Sequence, residues 1–258
     1  QWVGNLDGVP FAVRDAANRA RLDDVRAALQ AEAARLEADL ADNVFGGWFT
    51  HADARLENVR GMLAGLDAVE AEIALRGTSL LLLDPSGDLL EAAVAKGDVD
   101  TADHVAVFTP GMGTTVQGSL EGYAQDLQRL QLLARHRLQR SGGGSVATVA
   151  WLGYQAPGDR WVQDVASLGD RSVVRDNAAQ NGAPALTSFL QGVDAARGTD
   201  PHLTALGHSY GSLTTGLALQ RPTGVDDVVF FGSAGIGTSD AEELLVPDGH
   251  AFVVEAAE

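Results

Sequence analysis

Cysteine is absent from this chain of 258 residues, and lysine occurs once, as Lys96. Without cysteine the protein forms no disulfide bond, no cysteine-ligated iron–sulfur cluster and no thiolate zinc site. Apolar residues nevertheless make up 45% of the sequence, which is enough for a packed core and argues against disorder. The length fits one large α/β domain, or a smaller domain with an appendage.

Positive charge is scarce. The 18 basic and 35 acidic residues give a formal net charge of −17. Binding to nucleic acid requires a basic face that contacts phosphates, and docking on an anionic membrane requires a basic patch. We therefore expect neither nucleic acid nor an anionic membrane surface as a partner.

Long apolar runs are also missing. No run approaches the roughly 18 residues needed to cross a bilayer, and no basic segment followed by an apolar one opens the chain. The sequence predicts no transmembrane segment and favours a cytoplasmic location. Because the first residue is Gln1 rather than methionine, we interpret the chain as a fragment or a processed form, which leaves secretion open.

The first third of the chain has the apolar spacing of helices. Apolar residues recur at intervals of three, four or seven within 22–40 and again within 56–73. Gly46-Gly47 interrupts the pattern between these segments. We predict an antiparallel helical hairpin within residues 1–77. Its apolar stripes either pack on the body of the protein, which we prefer, or dock another chain.

Residues 78–258 have the pattern of an α/β core. Asp84-Pro85-Ser86-Gly87 suits a type I turn and joins two apolar runs, which predicts a β-hairpin. Later apolar runs alternate with helical stretches, as in a mostly parallel sheet with helices on both faces. The predicted strands are Val105–Phe108, Val146–Leu152, Leu203–Leu206, Val228–Phe231 and Ala251–Val254, and the predicted helices are Gln117–Arg140, Arg175–Ala196 and one that starts near Ser209.

The segment Gly207-His208-Ser209-Tyr210-Gly211 matches the G-x-S-x-G pattern of a nucleophile elbow. It follows an apolar run and precedes a helical stretch, which is the context that the pattern requires. So tight a turn needs glycine beside the serine and holds the serine in a strained conformation with its hydroxyl exposed. The amino end of the following helix favours negative charge. We predict Ser209 as a nucleophile; the alternative is a glycine-rich turn around a buried serine.

A nucleophilic serine needs backbone N–H groups that stabilise the oxyanion of the tetrahedral intermediate. One is expected from the residue after the serine, Tyr210, and one from the loop after an earlier strand. The loop after the strand Val105–Phe108 contains Gly111, Met112 and Gly113. We predict Met112 as the second donor and keep Gly113 as an alternative. Otherwise this loop is an ordinary connection in which glycine allows close packing.

The base and the acid of a catalytic triad are not identified by the sequence. In α/β-hydrolases the order along the chain is serine, acid, histidine, and only His250 follows Ser209. His250 precedes the strand Ala251–Val254, at the edge of the sheet away from the elbow, so we interpret it as structural. We expect the His208 side chain to point away from the serine hydroxyl and to hydrogen-bond within the scaffold. None of the acidic residues considered stands out as the triad acid: Asp240, Glu255 and Glu258.

Six segments together resemble the actinobacterial α/β-hydrolase family first classified as a domain of unknown function (DUF1023). They are GNLDG (4–8), VRDAANR (13–19), VFTPGMGTT (107–115), VAWLGY (149–154), LGHSYGSL (206–213) and VVFFGS (228–233). The resemblance covers essentially the whole chain and implies an α/β-hydrolase fold, a helical N-terminal region, a serine nucleophile and the cleavage of carboxylic esters. Family members usually continue with an acid-bearing loop and a Gly-His segment. We therefore expect a further segment or a second chain to complete the site.

The sequence thus predicts a serine hydrolase of a small-molecule or lipid ester. Ser209 attacks the carbonyl, the N–H groups of Tyr210 and Met112 hold the oxyanion, and water resolves the acyl-enzyme, with no metal and no organic cofactor. The alternatives are an acyltransferase or thioesterase on the same scaffold, and a non-catalytic module that binds a partner through the helical hairpin. Three aromatic residues either line a substrate cleft or pack elsewhere: Trp151, Tyr154 and Trp161.

Overall fold

The computed structural model of the protein describes residues 2–41, 51–158 and 171–255. The helices are α1 (Phe11–Ala41), α2 (His51–Ile73), α3 (Val116–Leu138), α4 (Arg171–Ala195) and α5 (Tyr210–Leu219). The strands are β1 (Thr78–Asp84), β2 (Glu91–Lys96), β3 (His104–Thr109), β4 (Val146–Leu152), β5 (His202–His208), β6 (Asp227–Phe231) and β7 (Ala251–Val254). The strands and helices predicted from apolar spacing are present, and the predicted α/β architecture is confirmed. The break predicted at Gly46-Gly47 lies outside the described residues.

The strands form one sheet in the order β1-β2-β4-β3-β5-β6-β7. Strand β2 is antiparallel to β1 and β4, whereas the strands from β4 to β7 are parallel to one another. The chain leaves β3 towards β4 on one side and returns to β5 on the other. In open α/β sheets, ligands bind at such a switch point, outside the carboxyl ends of the strands. Thr109 and Gly207 are register partners there.

The two N-terminal helices form an antiparallel pair that covers one face of the sheet. Ion pairs join them: Arg26 with Asp67 at 2.9 Å, and Arg55 with Glu32 at 2.8 Å. Their apolar stripes are buried with side chains of β1, β2 and α3 in one continuous cluster. Helices α4 and α5 pack on the opposite face. The hairpin therefore buries its apolar surface against the body of the protein.

Residues 4–8 and 13–19 attach α1 to the sheet. The Asn5 amide donates to the Leu83 carbonyl at 2.9 Å and accepts from the Leu83 N–H at 3.0 Å, so it extends the edge of β1. The Arg14 guanidinium, 1% exposed, donates to the Gly4 carbonyl and to the Asp7 carboxylate. A buried guanidinium with these partners is satisfied where it lies. The contacts give these segments a structural role far along the sheet from Ser209.

The single lysine also has a structural role. The Lys96 ammonium lies 2.7 Å from the Glu72 carboxylate, and both side chains are about 5% exposed. The ammonium donates a further hydrogen bond to Thr78 Oγ1 at 2.9 Å. The pair ties α2 to the β1–β2 hairpin inside the apolar cluster.

Candidate active site

Ser209 lies between the last residue of β5, His208, and the first residue of α5, Tyr210. Its backbone angles are φ 53° and ψ −125°, and within the described residues no other non-glycine residue has a positive φ. Such a conformation costs about 1–3 kcal/mol and persists where the surrounding structure enforces it. The Ser209 N–H donates to the Phe231 carbonyl at 3.1 Å, and the Ser209 carbonyl accepts from the Ser212 N–H at 3.0 Å. This is the strained strand-to-helix turn that a nucleophile elbow requires.

The two glycines of the elbow lie where backbone segments meet. A Cβ atom on Gly211 would lie 2.2 Å from the Thr109 carbonyl oxygen and 2.5 Å from the Pro110 carbonyl oxygen. A Cβ atom on Gly207 would lie 2.9 Å from the Cα atom of Ser212. Because backbone atoms cannot turn aside as a flexible side chain can, both positions need glycine. Helix α5 therefore starts directly against the loop that follows β3.

That loop runs beside the proposed nucleophile. A Cβ atom on Gly111 would lie 2.7 Å from Ser209 Cβ and 3.1 Å from Ser209 Oγ. The next N–H, that of Met112, donates to no acceptor among the described residues. The Gly113 N–H donates to the Pro157 carbonyl at 2.7 Å. Because this bond occupies the Gly113 N–H, the geometry favours Met112 as the donor from this loop.

Tyr210 is held on the other side of the serine. It is the first residue of α5, so its N–H lies at the positive end of the helix dipole, which carries about half an elementary charge. Its ring is buried, and its hydroxyl accepts a hydrogen bond from the Ala179 N–H of α4 at 3.0 Å. The ring also stacks on Tyr154, with centroids 6.5 Å apart and planes at 9°. These contacts fix the residue that carries the other candidate oxyanion donor.

The aromatic residues at the end of β4 pack in the core. Trp151 is 1% exposed and Tyr154 6%, and their rings stack 6.0 Å apart. The Tyr154 hydroxyl donates to the Pro110 carbonyl at 2.7 Å. Burial raises the pKa of Tyr154, so its hydroxyl keeps the proton that it donates. The sequence analysis did not predict this hydrogen bond to the loop after β3. Trp161, the third aromatic residue considered, lies outside the described residues.

The His208 ring does not form the hydrogen bond to the scaffold that we expected from the sequence. Instead of a hydrogen bond to the scaffold, its ring stacks on Phe231 at 5.1 Å and on Phe108 at 6.4 Å between centroids, and no ring hydrogen bond is formed within the described residues. Burial lowers the pKa of His208. The ring lines an apolar cavity of about 450 Å³ with Tyr123 and Leu206 on the face covered by α3. The expected hydrogen bond fails because the strands on both sides of β5 present aromatic rings at this level.

The histidines at strand starts lie at the opposite edge of the sheet from Ser209. His202 Nε2 is 2.6 Å from one oxygen of Asp227, and His250 Nδ1 is 2.7 Å from the other. His104 packs edge-on against His202. All six histidines of the sequence fall within the described residues, and none of their rings forms a hydrogen bond with the Ser209 side chain. This chain therefore brings no histidine base to Ser209.

The candidate acids are likewise not assembled at the serine. The Asp240 carboxylate accepts from the Glu242 N–H at 2.9 Å and caps a short 3₁₀ helix, Ala241–Glu243. Glu255 is exposed directly after β7, and Glu258 lies outside the described residues. In the part of the chain that the structure describes, no group of three acidic or histidine side chains could hold a metal ion. There, too, no helix has the length and apolar character to cross a membrane.

The sequence profile of the α/β-hydrolase family matches residues 84–258. The chain belongs to the α/β-hydrolase family. The matched segment begins at the end of β1 and includes the elbow, the loop after β3 and the strands that position them. The α/β-hydrolase fold predicted from the sequence is therefore confirmed, with the helical region in front of it.

This α/β-hydrolase has mycobacterial relatives. It is 38% identical over 214 residues to the uncharacterized protein Rv0963c of Mycobacterium tuberculosis, a match that covers 80% of this chain and 74% of the relative. It is 30% identical over 269 residues to the uncharacterized protein Rv2079 of the same species, covering all of this chain and 39% of that protein. A solved structure, a cold-adapted esterase from an Arctic intertidal metagenomic library, is similar with 11% identity and a TM-score of 0.41 over 70% of this chain and 86% of that one.

Proposed function

We propose that this α/β-hydrolase cleaves a carboxylic ester through an acyl-enzyme on Ser209. The observation that carries the proposal is the backbone of Ser209, with φ 53° and ψ −125°, at the amino end of α5. Strain of this kind has no use in a protein that only binds a partner, whereas it aims a serine hydroxyl out of the sheet edge for attack.

The proposed reaction starts with attack of Ser209 Oγ on the ester carbonyl. The carbonyl oxygen becomes an oxyanion that accepts from the N–H groups of Tyr210 and Met112. Each such donor contributes about 2.7–4 kcal/mol to transition-state stabilisation in enzymes where it has been removed. Collapse of the tetrahedral intermediate expels the alcohol, which takes up a proton, and leaves an ester on Ser209. Water then attacks that ester and releases the carboxylic acid.

We propose that none of the six histidines of this chain is the general base. Proton removal from the serine hydroxyl requires a base within about 2.6–3.2 Å of Oγ. None of the six histidines is hydrogen-bonded to that atom, and His202 and His250 are held by Asp227 at the far edge. We therefore propose that a further segment or a second chain supplies the histidine and the acid of the triad.

Labelling with a fluorophosphonate probe tests the proposal, in a preparation that includes the segment or second chain proposed to supply the histidine. The probe should modify the wild-type protein at Ser209, and Ser209→Ala should abolish labelling and lower ester turnover by about 10³-fold or more. The matched control is Ser233→Ala, which removes an exposed serine hydroxyl from the loop after β6. This control should label normally. Labelling that survives Ser209→Ala would overturn the assignment of the nucleophile.

A panel of p-nitrophenyl esters with short to long acyl chains then defines the substrate. Hydrolysis in water alone would support the esterase assignment. A product in which the acyl group has moved to an added alcohol or thiol would instead favour an acyltransferase, since the same acyl-enzyme serves both reactions.

A further inference from the structure

We infer that Tyr154 is the positioning residue of the oxyanion hole, an inference that rests on the proposed function. Its hydroxyl donates to the Pro110 carbonyl in the loop that carries Met112, at 2.7 Å. Its ring stacks on Tyr210, the residue that carries the other donor. One side chain thus contacts the backbone of the loop that carries one proposed donor and the ring of the residue that carries the other.

The hydrogen bonds of the loop hold the peptide units on both sides of the proposed donor. Tyr154 holds the peptide unit that joins Pro110 to Gly111, through its carbonyl oxygen. The Pro157 carbonyl holds the unit that joins Met112 to Gly113, through its N–H, at 2.7 Å. Between them lies the unit whose N–H belongs to Met112. With both neighbouring units anchored, the direction of that N–H is set from outside the loop.

External anchoring is needed because the loop cannot stiffen itself. Gly111 must be glycine, since a Cβ atom there would lie 2.7 Å from Ser209 Cβ, and glycine leaves its backbone free to rotate. An oxyanion donor stabilises the transition state only if it already points at the position where the charge develops. Gly111 is therefore required by its closeness to Ser209, and the same glycine leaves the direction of the Met112 N–H unfixed by the loop itself.

Tyr154 is itself immobile enough to act as an anchor. Its ring is packed against Trp151 on one side, with the planes at 7°. Helix α4 approaches so closely that a Cβ atom on Gly182 would lie 2.8 Å from Tyr154 Cβ. Tyr154 and Pro157 come from the same short segment after β4, so the anchor reaches the oxyanion loop from one neighbouring strand.

The test is the substitution Tyr154→Phe, which removes one hydroxyl and keeps the ring. We expect kcat to fall about 10-fold with KM changed less than about twofold, a part of the 10²–10³-fold loss seen when an oxyanion donor is removed outright. The matched control is Tyr123→Phe, whose hydroxyl lies 3.4 Å from Thr114 Oγ1 on the same loop but contacts neither anchored peptide unit. It should keep kcat within about twofold of wild type.

Active-site titration separates positioning from damage to the fold. Burst amplitude with a p-nitrophenyl ester, or stoichiometric fluorophosphonate labelling, counts competent Ser209 sites. A lower kcat per titrated site in Tyr154→Phe supports the inference. An unchanged kcat per site, with or without fewer competent sites, overturns the inference alone. Failure of the wild-type protein to label at Ser209, in the presence of the segment or chain proposed to supply the base, overturns the proposed function and the inference with it.

Discussion

Replacing Gly211 by alanine should push apart the two halves of the proposed oxyanion hole. The added Cβ atom would lie 2.2 Å from the Thr109 carbonyl oxygen and 2.5 Å from that of Pro110. Cβ atoms essentially never lie within 3.0 Å of a heavy atom outside their own residue and its chain neighbours. Both obstacles are backbone atoms, so α5 and the loop after β3 must separate by most of an ångström.

The size of that displacement sets the expected effect. The displacement increases the distance between the Tyr210 N–H, which moves with α5, and the Met112 N–H, which stays with the loop. A misplacement of about 1 Å lowers reaction rates by about 100-fold, and overpacking typically costs about 1–3 kcal/mol. We therefore expect kcat/KM to fall by about 100-fold and the free energy of unfolding to fall by about 1–3 kcal/mol.

Gly122→Ala is the matched control for this prediction. Gly122 is an exposed residue of α3, and a Cβ atom there meets nothing within 4 Å. Alanine should raise the free energy of unfolding by up to about 1 kcal/mol, because glycine is the weaker helix former. The assays are urea denaturation and p-nitrophenyl ester hydrolysis. If the Gly211→Ala protein matched the Gly122→Ala protein in both, the close approach of α5 to the loop would not be what fixes the site.

Two further predictions concern stability. Glu72→Gln leaves the buried Lys96 ammonium without its counter-charge and should lower the free energy of unfolding by about 3–5 kcal/mol in urea denaturation, while Glu72→Leu combined with Lys96→Met should recover most of that loss. At the far edge of the sheet, burial opposes ionisation of Asp227, but hydrogen bonds from two histidine rings outweigh it and lower the pKa of Asp227. A carboxylate with a lowered folded-state pKa stabilises the fold above its unfolded pKa of about 3.9 and loses that contribution as the pH falls through the folded value. The stability difference between wild type and Asp227→Asn should therefore shrink as the pH is lowered below about 3.9, and a difference that stays constant there would contradict this account.

The architecture was predictable because its signals are local. Strand Val146–Leu152 is apolar at every position except Thr148 and is buried throughout, as expected of a strand in a sheet covered on both faces. The long helices are indicated by apolar residues spaced three or four positions apart. The elbow combines a run of this kind with glycines at fixed offsets from a serine. None of these signals requires knowledge of which strands are neighbours.

The details of the site were less accessible because they depend on contacts between distant segments. The hydrogen bond from Tyr154 to Pro110 spans 44 positions, and nothing local in the sequence singles out that tyrosine. The preference for Met112 over Gly113 rests on the Pro157 carbonyl, which accepts from the Gly113 N–H and belongs to the segment after β4. Both follow from the position of β4 next to β3, which the sequence pattern leaves open.

His208 shows how strand order changes the reading of a single residue. From the sequence alone, a histidine beside a nucleophile is expected to satisfy its ring nitrogens within the scaffold. In the sheet, β5 lies between β3 and β6. Phe108, near the end of β3, and Phe231, the last residue of β6, stack on the imidazole. The ring is consequently held by stacking, with the pKa of His208 lowered by burial. The ring has no hydrogen bond to the Ser209 side chain, so stacking in the apolar cavity, and not proton transfer at Ser209, describes its position.

The proposed centre is built almost entirely from backbone. Three segments meet at Ser209: the turn after β5, the loop after β3 and the last residue of β6, whose Phe231 carbonyl holds the Ser209 N–H. Glycine is needed at Gly111 and Gly211 because these segments lie closer together than side chains allow. Because a backbone N–H cannot be exchanged by substitution, substitutions act on it through the side chains that hold it in place. We therefore expect substitutions of supporting side chains such as Tyr154, which lies outside the elbow motif, to change the rate of the proposed reaction.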